Sequence, residues 1–268
     1  MGNPIIVKSV AWSAVERFST IGIQFILNII IARILSPSDY GMIGMLAFFI
    51  SLSQIFIESG FAKALIQKKE CSDTDYSTAF YSNIIMAIFM YMIMYNIAPL
   101  IASFYKEPML KILLRVLSVN FVLSAFNIVH RAKLISRVNF KALAKVNFMG
   151  TFVGGIVGVI LAYNNMGVWA LVAQTIFNTL TMLLLFPFFS KWKPLLTFSK
   201  MSFLQLFKFG HKLLISSVMS IIFNNASTIG IGKLFTKSDV GFYTRAVQLS
   251  ELINTVICEV IGLLHSLL

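Results

Sequence analysis

Apolar residues run along this chain in stretches of about 20, longer than the alternating strands or one-faced helices of a soluble domain require. The stretches predict eight helices: Val10–Leu35, Tyr40–Glu58, Ala79–Phe104, Leu110–Val129, Val146–Ala162, Val168–Phe189, Lys212–Leu234, and an eighth from near Phe242 into the end of the sequence at Leu268. Runs of that length are what a bilayer-crossing helix needs. Outer-membrane barrels, built from short alternating segments, are excluded. Tyr40, Tyr105, Tyr163, Trp169, Trp192 and Tyr243 fall at helix ends, where amphipathic rings sit at a membrane interface. Between the sixth and seventh helices, Pro194–Gly210 mixes Leu, Phe and Met with Lys200 and Lys208. It reads either as an amphipathic helix lying on the membrane face or as an extension of the seventh helix.

Composition agrees with that pattern. Of 268 residues, 58% are hydrophobic and only 12% charged, with mean hydropathy +0.85. A soluble chain carries about 25% charged residues. The net charge of +12 would suggest nucleic acid in a soluble protein, but its distribution argues otherwise. Fourteen Lys and Arg fall in the segments before helix one and after helices two, four and six. Five fall in the alternate segments: Arg33, Lys106, Lys111, Lys233 and Lys237. The basic side is expected to face the cytoplasm. That puts the N-terminus, Asp75 and Lys141 inside and Glu107 and Asn165 outside. The charge is then topology and contact with lipid headgroups, not nucleic-acid binding. Two cysteines, Cys71 and Cys258, make no disulfide framework. The N-terminus lacks a cleavable signal, and Ile6 stands where a myristoylation motif needs Ser or Thr.

One short pattern occurs twice. ARILSPSDYG (Ala32–Gly41) and GKLFTKSDVG (Gly232–Gly241) lie 200 positions apart, with Ser38/Ser238, Asp39/Asp239 and Gly41/Gly241 in register. The turn residues are expected to cap the following helix, with Gly relaxing the backbone at a tight corner. Six helices separate the copies, so both turns lie on one side and the repeat is parallel. The match extends inward: Thr20, Gln24 and Asn28 on the first helix stand opposite Ser220, Asn224 and Thr228 on the seventh, at the same offset. Spacing of four keeps each set on one helix face. Such polar stripes either glue helices together or line a wet cavity, and their recurrence favours a shared central cavity. The fold class that follows is all-α. Residues 1–190 form a six-helix N-terminal transmembrane lobe, residues 191–211 a cytoplasmic amphipathic linker, and residues 212–268 an incomplete second lobe holding the first two helices of the repeat.

Charged residues within spans are the candidate chemistry. Glu16 and Arg17 lie inside the first helix, Arg115 in the fourth and Arg245 in the eighth. Intramembrane ions cost about 2.5–3.5 kcal/mol each on insertion scales, so they rarely lie idle. They either meet an anionic or proton-bearing load or snorkel to the surface. No enzyme signature accompanies them. His130, His211 and His265 form no metal-ligand pair, and no phosphate-binding loop occurs. The glycines of Met149–Gly158 read as close helix packing. No cofactor, metal or catalytic residue is expected.

Several stretches carry a family likeness: Glu16–Leu46, FIESGFAKALIQKKE (Phe56–Glu70) with the following DYSTAF, APLIASFY (Ala98–Tyr105) and GVWALVAQ (Gly167–Gln174). They resemble polysaccharide export proteins, the oligosaccharide-lipid flippases of the O-antigen, colanic acid and teichuronic acid type, within the multidrug/oligosaccharidyl-lipid/polysaccharide superfamily. The resemblance implies two six-helix lobes around a V-shaped cavity in the bacterial inner membrane. It implies alternating access that moves oligosaccharide on undecaprenyl pyrophosphate to the outer leaflet. The partners it implies are that lipid-linked sugar, membrane lipids and a second lobe that this chain does not complete. Arg17 and the other residues named above would then face the substrate. Two other functions compete: a multidrug or metabolite exporter of the same superfamily, whose cationic loads call for acidic cavity residues, and a membrane glycosyltransferase or ligase, which calls for larger extramembrane loops.

Overall fold

The computed structural model describes residues 20–58, 60–68 and 71–251, and among these every regular element is a helix. In chain order they are α1 (Thr20–Ile34, the described part), α2 (Pro37–Glu58), α3 (Phe61–Gln67), α4 (Asp73–Tyr105), α5 (Met109–Ser136), α6 (Phe140–Tyr163), α7 (Val168–Ser190), α8 (Lys200–Leu234) and α9 (237–251). Six of them, α2 and α4 to α8, are long and apolar enough to cross a membrane. The protein is an all-α, polytopic membrane protein. All eight expected helices are present in their described parts. The short α3 is an addition in a stretch that reads as a loop.

The helices outrun the apolar stretches at the end of the bundle that carries the basic residues. α4 starts six residues before Ala79, because Ser72 and Asp75 form a capping box: the Ser72 hydroxyl accepts from the Asp75 amide (3.1 Å) and the Asp75 carboxylate from the Ser72 amide (3.0 Å). α5 continues past Val129 to Ser136, and α6 starts at Phe140 under the Asn139 side chain, which accepts from the Ala142 amide. At 33 residues α4 is about 50 Å long, well beyond a hydrocarbon core of about 30 Å. α8 begins at Lys200 under the Ser199 side chain and runs unbroken to Leu234, so Lys200–Gly210 is the first part of that helix. The extended segment before it is tied to α4: the Leu195 amide donates to the Ser77 hydroxyl (2.9 Å) and the Ser199 amide to the Thr78 hydroxyl (3.1 Å).

α4 pairs with α5 and α6 with α7, and α5 packs against α7. Gly150, Gly154 and Gly158 of α6 lie against Met182, Asn178 and Gln174 of α7, as close packing requires. α8 lies outside this set, against α2, α3 and α4. Where α8 meets the turn after α2, Gly60 (φ 69°) lies against the backbone of Gly210, and a side chain on Gly60 would collide with α8.

A buried ionic knot sits at the basic end. Lys133, only 6% exposed in its side chain, donates to the Asp73 carboxylate (2.8 Å) and faces the rings of Tyr76 (4.9 Å) and Trp192 (5.5 Å). Beside it, His130 Nδ1 is 2.8 Å from the Ser190 hydroxyl, with its ring against Trp192. The knot joins the start of α4, the end of α5 and the end of α7. The sequence counts Lys133 only as a surface charge, since Asp73 lies 60 positions away.

Candidate functional site

The repeated turns fold the same way. The Ser36 hydroxyl donates to the Asp39 carboxylate (2.6 Å), which also accepts from the Ser36 amide (3.0 Å); the Thr236 hydroxyl and amide do the same to Asp239 (2.7 and 3.0 Å). The Asp39 and Asp239 amides lie 3.4 and 3.3 Å from those hydroxyls, which closes the reciprocal pattern of a capping box. The caps are therefore Ser36 and Thr236, not the identical Ser38 and Ser238. A residue-by-residue match hides this, because the cap position keeps a hydroxyl while its identity changes.

The glycines do something the sequence reading does not expect. Gly41 and Gly241 lie within α2 and α9 and need no positive φ. Instead the two helices cross there. A Cβ on Gly41 would collide with the Lys237 carbonyl, and a Cβ on Gly241 with the Pro37 carbonyl. Each would lie 3.2 Å from the other glycine's amide nitrogen. The contact is reciprocal at the offset of 200, so the repeats meet about a local two-fold axis. Gly44 extends it, lying against Val240 and Thr244. Beside the crossing, Lys233 donates to the Phe104 carbonyl at the end of α4 (2.8 Å), and Lys237 pairs with Glu107 (3.1 Å).

Next to the crossing lies a cavity of about 370 Å³ between α1 and α9. Its walls are mainly apolar, including Phe25, Ile29, Phe242 and Leu249, with Asn28, Arg33 and Arg245 among them. The Arg245 guanidinium stacks on the Tyr40 ring at 3.4 Å and donates through Nη1 to Gln248 (3.3 Å). Its Nε and Nη2 and the Tyr40 hydroxyl are buried and have no partner other than each other.

Of the candidate residues, the structure brings Asn28 and Arg245 to this cavity. Glu16 and Arg17 lie outside the described residues. Gln24, Ser220 and Asn224 are exposed, with the Ser220 hydroxyl returned to the Ser216 carbonyl (3.1 Å). Thr228 is buried, and the Thr20 hydroxyl is buried without a partner. Arg115 has a local task. Pro99 supplies no amide to the Tyr95 carbonyl one turn earlier in α4; Arg115 Nε donates to that carbonyl (3.3 Å) and the guanidinium lies 3.9 Å from the Tyr95 ring. Arg33, Tyr40 and Gln248 also reach the cavity and are missing from the sequence-based set. Arg33 has a visible signal, since it aligns with Lys233. No group of three or more metal-ligating side chains occurs among the described residues.

Known proteins place this architecture. The chain is 27% identical over 257 residues to the succinoglycan biosynthesis transport protein ExoT of Rhizobium meliloti, covering 96% of this chain and 52% of that protein. It is 22% identical to the teichuronic acid biosynthesis protein TuaB of Bacillus subtilis, over 91% of this chain and 51% of TuaB. It is 24% identical to the lipopolysaccharide biosynthesis protein WzxC of Escherichia coli, over 91% and 50%. The chain thus spans about half the length of these relatives. No solved structure gives a significant match. A family model described as "Polysaccharide biosynthesis protein" matches residues 30–264, nearly the whole chain. This chain, with its repeated, reciprocally crossed turn, belongs to the polysaccharide biosynthesis protein family.

Proposed function

We propose that the chain is the first lobe and the opening of the second in a flippase that carries oligosaccharide on undecaprenyl pyrophosphate to the outer leaflet of the bacterial inner membrane. The observation that carries the reading is the reciprocal crossing at Gly41 and Gly241. It joins two parallel repeats reciprocally about one axis, an arrangement expected of a transporter whose halves rock about a central path. ExoT is named a transport protein and TuaB and WzxC biosynthesis proteins of surface polymers, which supports a polysaccharide-related cargo.

In this reading the N-terminus and the Lys133 knot face the cytoplasm and the two turns face outward, following the basic asymmetry. Arg17 binds the pyrophosphate, with Glu16 as its counter-charge or proton site. Thr20, Gln24 and Asn28 on α1 and Ser220, Asn224 and Thr228 on α8 present hydrogen-bonding groups to the sugar path. Arg115, whose Nε answers the Tyr95 carbonyl beside Pro99, adds a further positive charge for an anionic load. The protein needs no cofactor and performs no covalent chemistry.

Two measurements test this. In a Cys71→Ser, Cys258→Ser background, Asn165→Cys is labelled from outside intact cells and Lys141→Cys only after permeabilisation; the opposite pattern overturns the orientation. The native Cys71 is a slow target in any case, because burial and the neighbouring Asp75 push its thiol pKa up. In cells whose surface polysaccharide depends on this gene, Arg17→Ala removes the polymer while protein abundance and Asn165→Cys labelling stay unchanged. Normal polymer from Arg17→Ala removes that residue from the path.

A further inference from the structure

The segment that joins α7 to α8 is held on one face and bare on the other. Residues 191–199 form no helix and end at the Ser199 cap of α8. On the inner face, Trp192 is buried and packs with Tyr76, Phe80 and Leu206. The amides of Leu195 and Ser199 are fixed to the Ser77 and Thr78 hydroxyls. On the outer face, Leu196 is 96% exposed, and Phe198, Met201 and Leu204 are 52%, 69% and 62% exposed. Lys191, Lys193 and Lys200 stand among them, exposed and without an ion pair to any described residue. The depth of this strap follows from α4. Ser77 and Thr78 precede Ile84, where the apolar run of α4 begins, by roughly 10 Å along the helix. That distance reaches the headgroup layer beside a hydrocarbon core of about 30 Å. Gly210 meets Gly60 just past α2, so the first turns of α8 run across this end of the bundle instead of away from it. The exposed side of α7 leads straight into the strap through Leu184 and Phe188.

We infer that residues 191–204 are a preformed docking site for anionic phospholipid in the leaflet at the basic end of the bundle. Leu196, Phe198, Met201 and Leu204 enter the boundary between headgroups and acyl chains, and Lys191, Lys193 and Lys200 meet the phosphates. Interfacial anchors bind in this way, by buried apolar area together with attraction to anionic lipid. Three observations select this occupant. The apolar surface is continuous with the exposed side of α7, a helix long and apolar enough to cross a membrane. The three lysines complement an anion and nothing in the described structure answers them. The strap is already fixed by Trp192 and by its ties to α4, so little ordering is left to oppose binding. A second copy of this chain would set the same lysines against themselves. The sequence spreads basic residues over this whole end of the bundle; the fold gathers three of them on one fixed apolar surface. The inference rests on that surface alone and holds whatever the protein transports and whichever way it faces.

Fluorescence in lipid vesicles tests it. In the Cys71→Ser, Cys258→Ser background, Leu196→Cys carries an environment-sensitive nitrobenzoxadiazole label, and Asn165→Cys carries it as a control at the other end of the bundle. The purified protein is reconstituted in equal parts of phosphatidylcholine and phosphatidylglycerol, with one or the other brominated in its acyl chains. The Leu196 label is expected to emit as in an apolar medium and to be quenched more by brominated phosphatidylglycerol than by brominated phosphatidylcholine. A lysine near an anionic surface contributes about fivefold enrichment, so Lys193→Gln with Lys200→Gln should abolish the preference. Arg137→Gln with Lys145→Gln removes the same charge elsewhere at that end and should leave it. The Asn165 label, unchanged throughout, reports an intact fold. A Leu196 label that stays in water overturns the inference and gives the surface to a partner protein. Equal quenching by the two lipids overturns it as well. So does a preference that survives Lys193→Gln with Lys200→Gln, or that falls equally with the matched pair.

Discussion

Met45 and Arg245 occupy the same place in two copies of one motif, yet their surroundings differ. Met45 is 2% exposed, closed over by α4, in a cluster with Tyr105 and Leu110. Arg245 is half-buried on a cavity wall, stacked on Tyr40 and hydrogen-bonded to Gln248. The capping boxes and the glycine crossing are nearly identical in the two repeats, so those are set by local sequence and by the axis between them. The flanks differ because α4 packs over Met42 and Met45, whereas Phe242 and Arg245 line a cavity. A shared motif thus fixes how the repeats meet and leaves open what each one faces.

The comparison breaks most readily at the crossing. Gly41→Leu drives a side chain into the Lys237 backbone and should cost about 3 kcal/mol or more, the upper end of overpacking penalties. Gly241→Leu should cost the same, since the contact is reciprocal. Gly22→Leu and Gly230→Leu meet nothing within 4 Å and should be silent. Thermal unfolding in detergent ranks the four, and a tolerated Gly41→Leu beside a damaging Gly241→Leu would refute the two-fold contact.

A second measurement separates the flanks. Met45→Ala opens a cavity in a closed core and should cost about 2–5 kcal/mol. Arg245→Leu removes a half-buried charge from a cavity wall, where no core is emptied, and should cost less than about 1 kcal/mol. A large loss from Arg245→Leu would show that its flank is already closed.

The smallest effect belongs to the caps. Ser36→Ala and Thr236→Ala should each cost about 1 kcal/mol, and Ser38→Ala and Ser238→Ala less than about 0.5 kcal/mol. Hydrogen exchange at the Asp39 and Asp239 amides checks this site by site, and faster exchange only in the Ser38→Ala protein would return the cap to Ser38.

Much of this fold is legible because a bilayer imposes one length and one polarity on its helices. The eight expected helices, six of them long enough in their described parts to cross a bilayer, follow from apolar runs, and the offset of 200 pairs the right elements. Helix ends are less legible, since capping by Ser72 or Asn139 carries a helix beyond the hydrocarbon where hydropathy is silent. The site is harder still. Arg115 reads as an intramembrane charge, and its added task of answering the Tyr95 carbonyl beside Pro99 is visible only in the contact across the α4–α5 pair. Lys133 and Asp73 read as separate surface charges because nothing local joins them. Glycine at 41 and 241 is visible, but its reason lies in a helix 200 residues away.

The crossing has the geometry of an association between identical subunits. In it, residue 41 meets 237 and residue 241 meets 37, the rule by which identical subunits associate in an isologous dimer. A polypeptide with only one such turn would present a surface complementary to itself and could pair with its own twin through the same glycines. Joining two copies in one chain replaces that encounter with an intramolecular one, at the high effective concentration a tether provides. It also frees the two halves to diverge: once the twins are covalently bound, one can keep a methionine where the other acquires an arginine.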